Sequence, residues 1–152
     1  MTPTCAFVHE PDPANPGWHT WDLADQTRFN ALVMGKLIVR REGDCAARLR
    51  MLETEVRHSN LLSKVHGAVT LGLIDIAMFA TVFTVLGADA AGSVTLDLNC
   101  QFVGTGEIGV PLDVVSEVMK ETRRLVFLRG TVEQGDQLVA SYIGTIRKPS
   151  VK

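Results

Sequence analysis

Asp75 is the one carboxylate in a long apolar stretch. From Val65 to Leu86 the only other titratable side chain is His66, and Leu71, Gly72, Leu73, Ile74, Ile76, Ala77, Met78 and Phe79 surround the acid. An ionised carboxylate among apolar groups is costly unless paired. A group held that way is a functional-site candidate. The competing reading is an acid at a solvated subunit contact or bonded to nearby backbone. His66-Gly67 heads the same stretch. If the stretch is helical, its first N–H groups are free and carry positive dipole character. Gly67 lacks a Cβ, so an oxygen can come close to its N–H, as an oxyanion hole requires. Close packing of helix on sheet is the competing explanation for that glycine.

The spacing constrains how the two can work. Gly67 and Asp75 are eight residues apart, about 12 Å along a helix axis at 1.5 Å per residue. One carbonyl cannot reach both at about 3 Å. If both act, they act from different chains. Two copies with antiparallel helices about a two-fold axis would bring Gly67 of one near Asp75 of the other and make two equal sites.

The elements that must position these residues follow from hydrophobic periodicity. The stretch from Val65 to Leu86 is too long for a strand and predicts a buried central helix, with Ser63 as a candidate cap. Before it, residues 1–17 carry Pro3, Pro11, Pro13 and Pro16 and predict an irregular arm. Trp18 to Val33 predicts a short helix capped by Asp22, with Trp18, Trp21 and Phe29 as packing anchors. Lys36–Arg41 and Cys45–Thr54 predict a hairpin through Glu42-Gly43-Asp44. Its arginines, Arg40, Arg41, Arg48 and Arg50, are expected on a solvated face. After a loop at 87–92, four strands in meander are expected over Val94–Val103, Leu112–Lys120, Arg124–Glu133 and Gln137–Arg147. In the first, Val94, Leu96, Leu98, Cys100 and Phe102 face one way; Thr95, Asp97, Asn99 and Gln101 face the other. Val69, Leu73, Met78, Phe79 and Phe83 either line a pocket or fill the core, the core being the expectation. A sheet with one buried helix is an α+β fold.

Composition excludes several classes. The chain has 152 residues, 46% hydrophobic and 21% charged, with a net charge of −2, so one globular domain is expected and nucleic acid is not an expected partner. Cys5, Cys45 and Cys100 are scattered and odd in number, which points to reduced thiols and a cytoplasmic location. The apolar stretch has an acid at its centre and is followed at once by alternating strands, so no membrane span is expected. No signal peptide, phosphate loop, GxSxG elbow or metal-ligand spacing is evident.

The motif Asn60-x5-His66-Gly67, then Asp75, then Ser93 within Gly92-Ser93-Val94-Thr95-Leu96-Asp97-Leu98-Asn99 resembles the hotdog-fold acyl-CoA thioesterases of the PaaI type and the related human THEM2-like enzymes. The likeness covers roughly residues 36–147. It implies an antiparallel sheet wrapped around one long central helix. The implied division is an N-terminal arm and short helix over 1–34 and a hotdog domain over 35–148.

The resemblance also implies roles. Asp75 matches the catalytic carboxylate, acting as general base or nucleophile. Gly67 matches the backbone N–H that polarises the thioester carbonyl. Asn60 matches the side chain that orients water or thioester, His66 the residue beside the sulfur, and Ser93 a hydroxyl that helps hold the water. The site would be shared across a homodimer, often paired into a tetramer, with acyl-CoA as substrate and no metal or cofactor. Ala68 stands where many members have a second glycine. Val103-Gly104-Thr105-Gly106 replaces the usual basic residue and proline after Phe102. Ala68, Arg123 and Arg124 are candidate substrate contacts, the arginines for CoA phosphates, against a solvated turn. A non-catalytic acyl-CoA binding module is the alternative function, and enoyl-CoA hydration or dehydration a third.

Overall fold

The computed structural model describes residues 6–87 and 91–150. Pro3 and Cys5 of the expected arm, and the middle of the expected 87–92 loop, lie outside the described residues. In chain order the elements are β1 (Phe7–Val8), β2 (His19–Thr20), β3 (Asp22–Leu23), a π-helical turn over Asn30–Met34, β4 (Leu37–Glu42), β5 (Ala46–Met51), a 3-10 turn over Val56–His58, α1 (Gly67–Leu86), β6 (Val94–Phe102), β7 (Leu112–Glu121), β8 (Leu125–Gln134) and β9 (Gln137–Arg147). One antiparallel sheet runs β2-β4-β5-β7-β8-β9-β6, and β1 pairs with β3 separately.

Helix α1 forms where the apolar stretch predicts it and lies in the hollow of this sheet. Leu73, Ile74, Ala77, Met78 and Ala80 are fully buried against inward side chains such as Leu49, Val114, Val126 and Ile146. Its start is capped by His66, whose Nδ1 accepts from Ala68 N–H at 2.9 Å. Gly87, at φ 63°, ends it in the left-handed conformation and donates to Phe83 O. Ser63 is not the cap. It sits at φ 57° with its N–H on Asn60 O and closes a tight turn ahead of the helix.

The hairpin β4–β5 is as expected, but its outer face is more than solvated arginines. Arg50 forks onto Asp113 at 2.7 and 2.8 Å, and Arg48 bridges Glu42 and Asp113. The guanidinium groups of Arg40 and Arg50 both lie over the Trp18 ring, 4.6 and 4.8 Å from its centre. These cations are satisfied by acids and an aromatic face, which leaves them little call for an external anion.

The segment before the hairpin and the last four strands also differ from expectation. Trp18–Val33 is not a helix: it gives β2, β3 and a single π-helical turn, and Asp22 lies in a strand rather than at a cap. Burial of Trp21 against Phe7 and Phe83, and its N–H on Leu37 O, override a weak local periodicity. Trp18 and Trp21 anchor the packing as expected, while Phe29 is half exposed over Gly72. The last four strands are not a simple meander either. β7-β8-β9 are, but β6 crosses to the far edge and pairs with β9. The arrangement is the α+β hotdog fold: one long helix wrapped by an antiparallel sheet.

The arm docks through aromatic rings. His9 stacks on His19 at 4.9 Å, meets Phe83 and Trp21 edge-on, and its Nδ1 bonds Thr20 O. Burial, and the neighbouring His19, hold the His9 imidazole below its ordinary 6.5 despite the opposing bond to Thr20. The docked arm therefore resists a proton that the undocked chain accepts. Docking is strongest above pH 6.5 and weakens as pH falls from there through the lowered value. Hydrogen exchange of residues 7–20, corrected for intrinsic rate, should rise between pH 7.5 and 5.5, and His9→Gln should flatten that rise.

Candidate active site

The site begins with the accounting of the N–H groups at the start of α1. Of the first four, Ala68's goes to His66 Nδ1, and those of Val69 and Thr70 go to His66 O. Gly67's has no partner among the described residues. It is the one donor left over at the positive end of the helix dipole. A Cβ on Gly67 would stand 3.4 Å from the Phe102 ring, an ordinary contact. Close packing therefore does not by itself demand glycine here.

The same bonds settle which atoms of the neighbouring side chains are donors. A backbone N–H can only donate, so His66 Nδ1 accepts, and the neutral ring carries its proton on Nε2. Asn60 is oriented likewise. Its Oδ1 accepts from Leu62 N–H at 2.8 Å and Lys64 N–H at 3.2 Å, which leaves Nδ2 outward with no partner among the described residues. The loop holding it is pinned by Asn60 N–H on Lys64 O, His66 N–H on His58 O and Val65 N–H on Gly106 O. His58 is buried and structural, bonded to Glu55 N–H and Val33 O. Asn60 and His66 line one recess of about 670 Å³ together with Ser59, Leu61 and Leu62.

Asp75 lies two turns further along the helix and opens into a different cavity. That cleft, of about 330 Å³, is walled by Phe7, Trp21, Leu23, Ile76 and Phe79. Phe79, expected in the core with Val69, Leu73 and Met78, is thus a cleft residue, half buried beside the acid. Phe83 packs against Trp21 and His9. Asp75 Oδ1 accepts a 2.6 Å hydrogen bond from Thr95 Oγ.

Thr95 is the residue that sequence reasoning misses. Strict alternation puts it on the polar outer face with Asp97 and Asn99. A β-bulge between Thr95 and Asp97 resets the register, and one extra residue flips the face. Thr95 then pairs opposite the fully buried Ile146 and points to the helix, while Asp97 and Asn99 stay outside. Ser93, buried just ahead of β6, lies two residues before Thr95. No sequence signal marks the bulge, although Thr95 and Ser93 share a parity that would have suggested the pair.

The other candidates take no part in the bond to Asp75. Ala68's N–H is consumed by His66. Arg123 and Arg124 are exposed on the turn between β7 and β8, which lies at the end of the sheet where Leu125, Arg147 and Val94 are paired. One protomer therefore brings Asn60, His66 and Gly67 to the head of the helix and joins Asp75 to Thr95 near its middle, with Ser93 buried two residues before Thr95.

A model of the thioesterase superfamily matches residues 62–141. Mouse acyl-coenzyme A thioesterase 13 is 29% identical over 77 residues, covering 50% of this chain and 53% of the relative; the chain thus spans about half the length of that curated relative. Among solved structures, zebrafish thioesterase superfamily member 2 superposes with a TM-score of 0.70 at 23% identity over 82% of this chain and 89% of that one. A conserved protein of Pseudomonas aeruginosa gives 0.68 at 25% identity, covering 82% and 98%.

Two proline substitutions test the N–H accounting. His66 is extended (φ −66°, ψ 137°), as a residue before proline must be, and proline suits the first helical position. Gly67→Pro removes only the unpartnered N–H and should leave the unfolding free energy within about 0.5 kcal/mol of the parent. Ala68→Pro removes the cap bond and also sets a proline after helical Gly67, so it should cost at least about 1 kcal/mol more. Urea unfolding of the two variants reads the difference.

Proposed function

The chain belongs to the thioesterase superfamily, as its resemblance to the PaaI-type hotdog enzymes implied, and on that footing we propose that it hydrolyses acyl-CoA thioesters to free acid and CoA in a site shared by two copies. The observation that carries this reading is the split of the site: an unpartnered N–H with two oriented side-chain donors at the helix start, and a carboxylate two turns away in a separate cleft.

A second copy completes the site when the helices lie side by side and antiparallel. The surface such a copy would cover is apolar and open. On α1, Ala68 and Leu71 are exposed in line with Asp75, and β6 is a nine-residue edge strand with Leu96, Phe102 and Val103 exposed along it or just beyond. An uncovered apolar edge of this length is a liability that pairing removes. With the two-fold in place, Asp75, Thr95 and Ser93 of one chain meet Asn60, His66 and Gly67 of the other.

The chemistry then follows from the groups present. The thioester carbonyl oxygen accepts from the partner's Gly67 N–H, with Asn60 Nδ2–H as the second donor. Asn60 acts only as a donor because its own loop occupies its oxygen. Thr95 donates to Asp75 Oδ1 and fixes the carboxylate's orientation. Asp75 takes a proton as water adds to the carbonyl carbon, and negative charge moves onto the oxygen, where the fixed donors stabilise it. The intermediate collapses, the C–S bond breaks, and CoA leaves as thiolate beside the Nε2–H of His66. The proton held by Asp75 passes to solvent and resets the base. A thioester is activated enough for this without further assistance. Direct attack by Asp75, giving an anhydride that water then opens, uses the same geometry.

Subunit complementation tests site sharing and activity together. Asp75→Asn and Gly67→Pro should each lose about 10²–10³-fold in kcat while staying folded. Mixed and exchanged in equal amounts, about half the dimers pair one of each, and each such dimer has one intact site. Free-thiol release should return to about a quarter of the parent. No recovery would place both residues in one protomer's site, and acyl-CoA binding without any thiol release by the parent would favour a binding module.

A further inference from the structure

Leu61 and Leu62 stand almost entirely in solvent, at 104% and 77% exposure. They do so on a loop that is anything but loose. Asn60 Oδ1 accepts from Leu62 and Lys64 N–H while Asn60 N–H donates to Lys64 O, Ser63 takes a left-handed φ of 57° to turn the tip, Ser59 bridges to Val65, and Lys64 pairs with Glu107 at 2.6 and 2.8 Å. Rigid presentation of two bare leucines marks a surface that is covered in use, because a fully buried leucine gains far more than an exposed one. The residue that builds the tip is Asn60, and the recess under the tip is lined by Asn60 and His66. The tip is thus attached to one half of the site.

The other half has the complementary feature. Beside Asp75 lies the cleft walled by Phe7, Trp21, Leu23 and Phe79, apolar and open on one side. A carbonyl held between Asp75 and the second copy's Gly67 N–H leaves its acyl group beside that cleft. The second copy's Asn60 stands at the same carbonyl, and its Leu61 and Leu62 are one and two residues away along the chain. Resting on the shared-site reading above, we infer that the Leu61–Leu62 tip of one protomer covers the aromatic cleft beside the other protomer's Asp75 and so determines which acyl groups the enzyme accepts. One wall of the acyl pocket comes from the arm of one chain, and its roof comes from the loop of the other. The occupant under that roof is a flexible, wholly apolar acyl chain, since leucine tips and the Phe7, Trp21 and Leu23 walls give it surface to bury.

The test is thiol release from a straight-chain series from acetyl- to dodecanoyl-CoA, read as the ratio of kcat/KM for decanoyl-CoA to that for acetyl-CoA. The double variant Leu61→Ser/Leu62→Ser removes two exposed side chains and should fold as the parent does. Its ratio should fall about tenfold, the scale of losing a few methylene contacts in a pocket. Leu62→Trp, which thickens the roof, should move the optimum to shorter chains. Val56→Ser, at an equally bare position away from the tip (81% exposed), should leave the ratio unchanged. An unchanged ratio in the double variant, or an equal loss along the whole series, would overturn the role of the tip. A parent that releases no thiol from any member would overturn the thioesterase reading itself.

Discussion

A twenty-residue helix that is apolar on nearly every side has to be covered on every side, and a single sheet from one chain does not reach all the way round it. The sheet buries Leu73, Ile74, Ala77 and Met78 completely. The aromatic arm, through Phe7, His9 and Trp21, covers a second flank near Phe83. What stays open is a stripe through Ala68, Leu71 and Asp75, flanked by the unpaired edge of β6. The candidate carboxylate lies on that stripe, half buried beside an apolar cleft.

The helix start shows how ordinary side chains are turned into specific ones. His66 spends Nδ1 on Ala68 N–H and its carbonyl on Val69 and Thr70, which leaves Gly67 as the free donor and Nε2 as the ring's proton carrier. Asn60 spends its oxygen on its own loop and becomes a pure donor. Each commitment is a local backbone bond, and together they aim three donors outward from one place before any substrate arrives. In the proposed reaction such fixed dipoles need no reorganisation when charge develops. The carboxylate is handled in the same way, with Thr95 holding Oδ1 from across the fold.

Much of this was legible from residue order. The long helix, the hairpin, the two later turns and the strand spans over 112–147 follow from periodicity, because each is a long, strongly patterned segment with Gly-containing turns. The distance between Gly67 and Asp75 needed only the helical rise. Two kinds of feature escaped. The segment over Trp18–Val33 has too few residues per element to show a period, and its conformation is set by where Trp21 finds cover. The bulge that turns Thr95 inward shifts the count by one without any change of composition.

The sequence by itself determined the buried helix, the lone acid within it, the glycine at its head and the impossibility of both serving one carbonyl from one chain. These are consequences of composition and of a fixed rise per residue, so they need no knowledge of neighbours. The tertiary structure alone decided that β6 lies at the open edge, that Thr95 rather than its parity partners meets Asp75, and that the tip of the 59–65 loop stands bare. Each of these depends on which strand pairs with which and in what register, and pairing joins residues far apart in the chain through backbone bonds that every residue type can make.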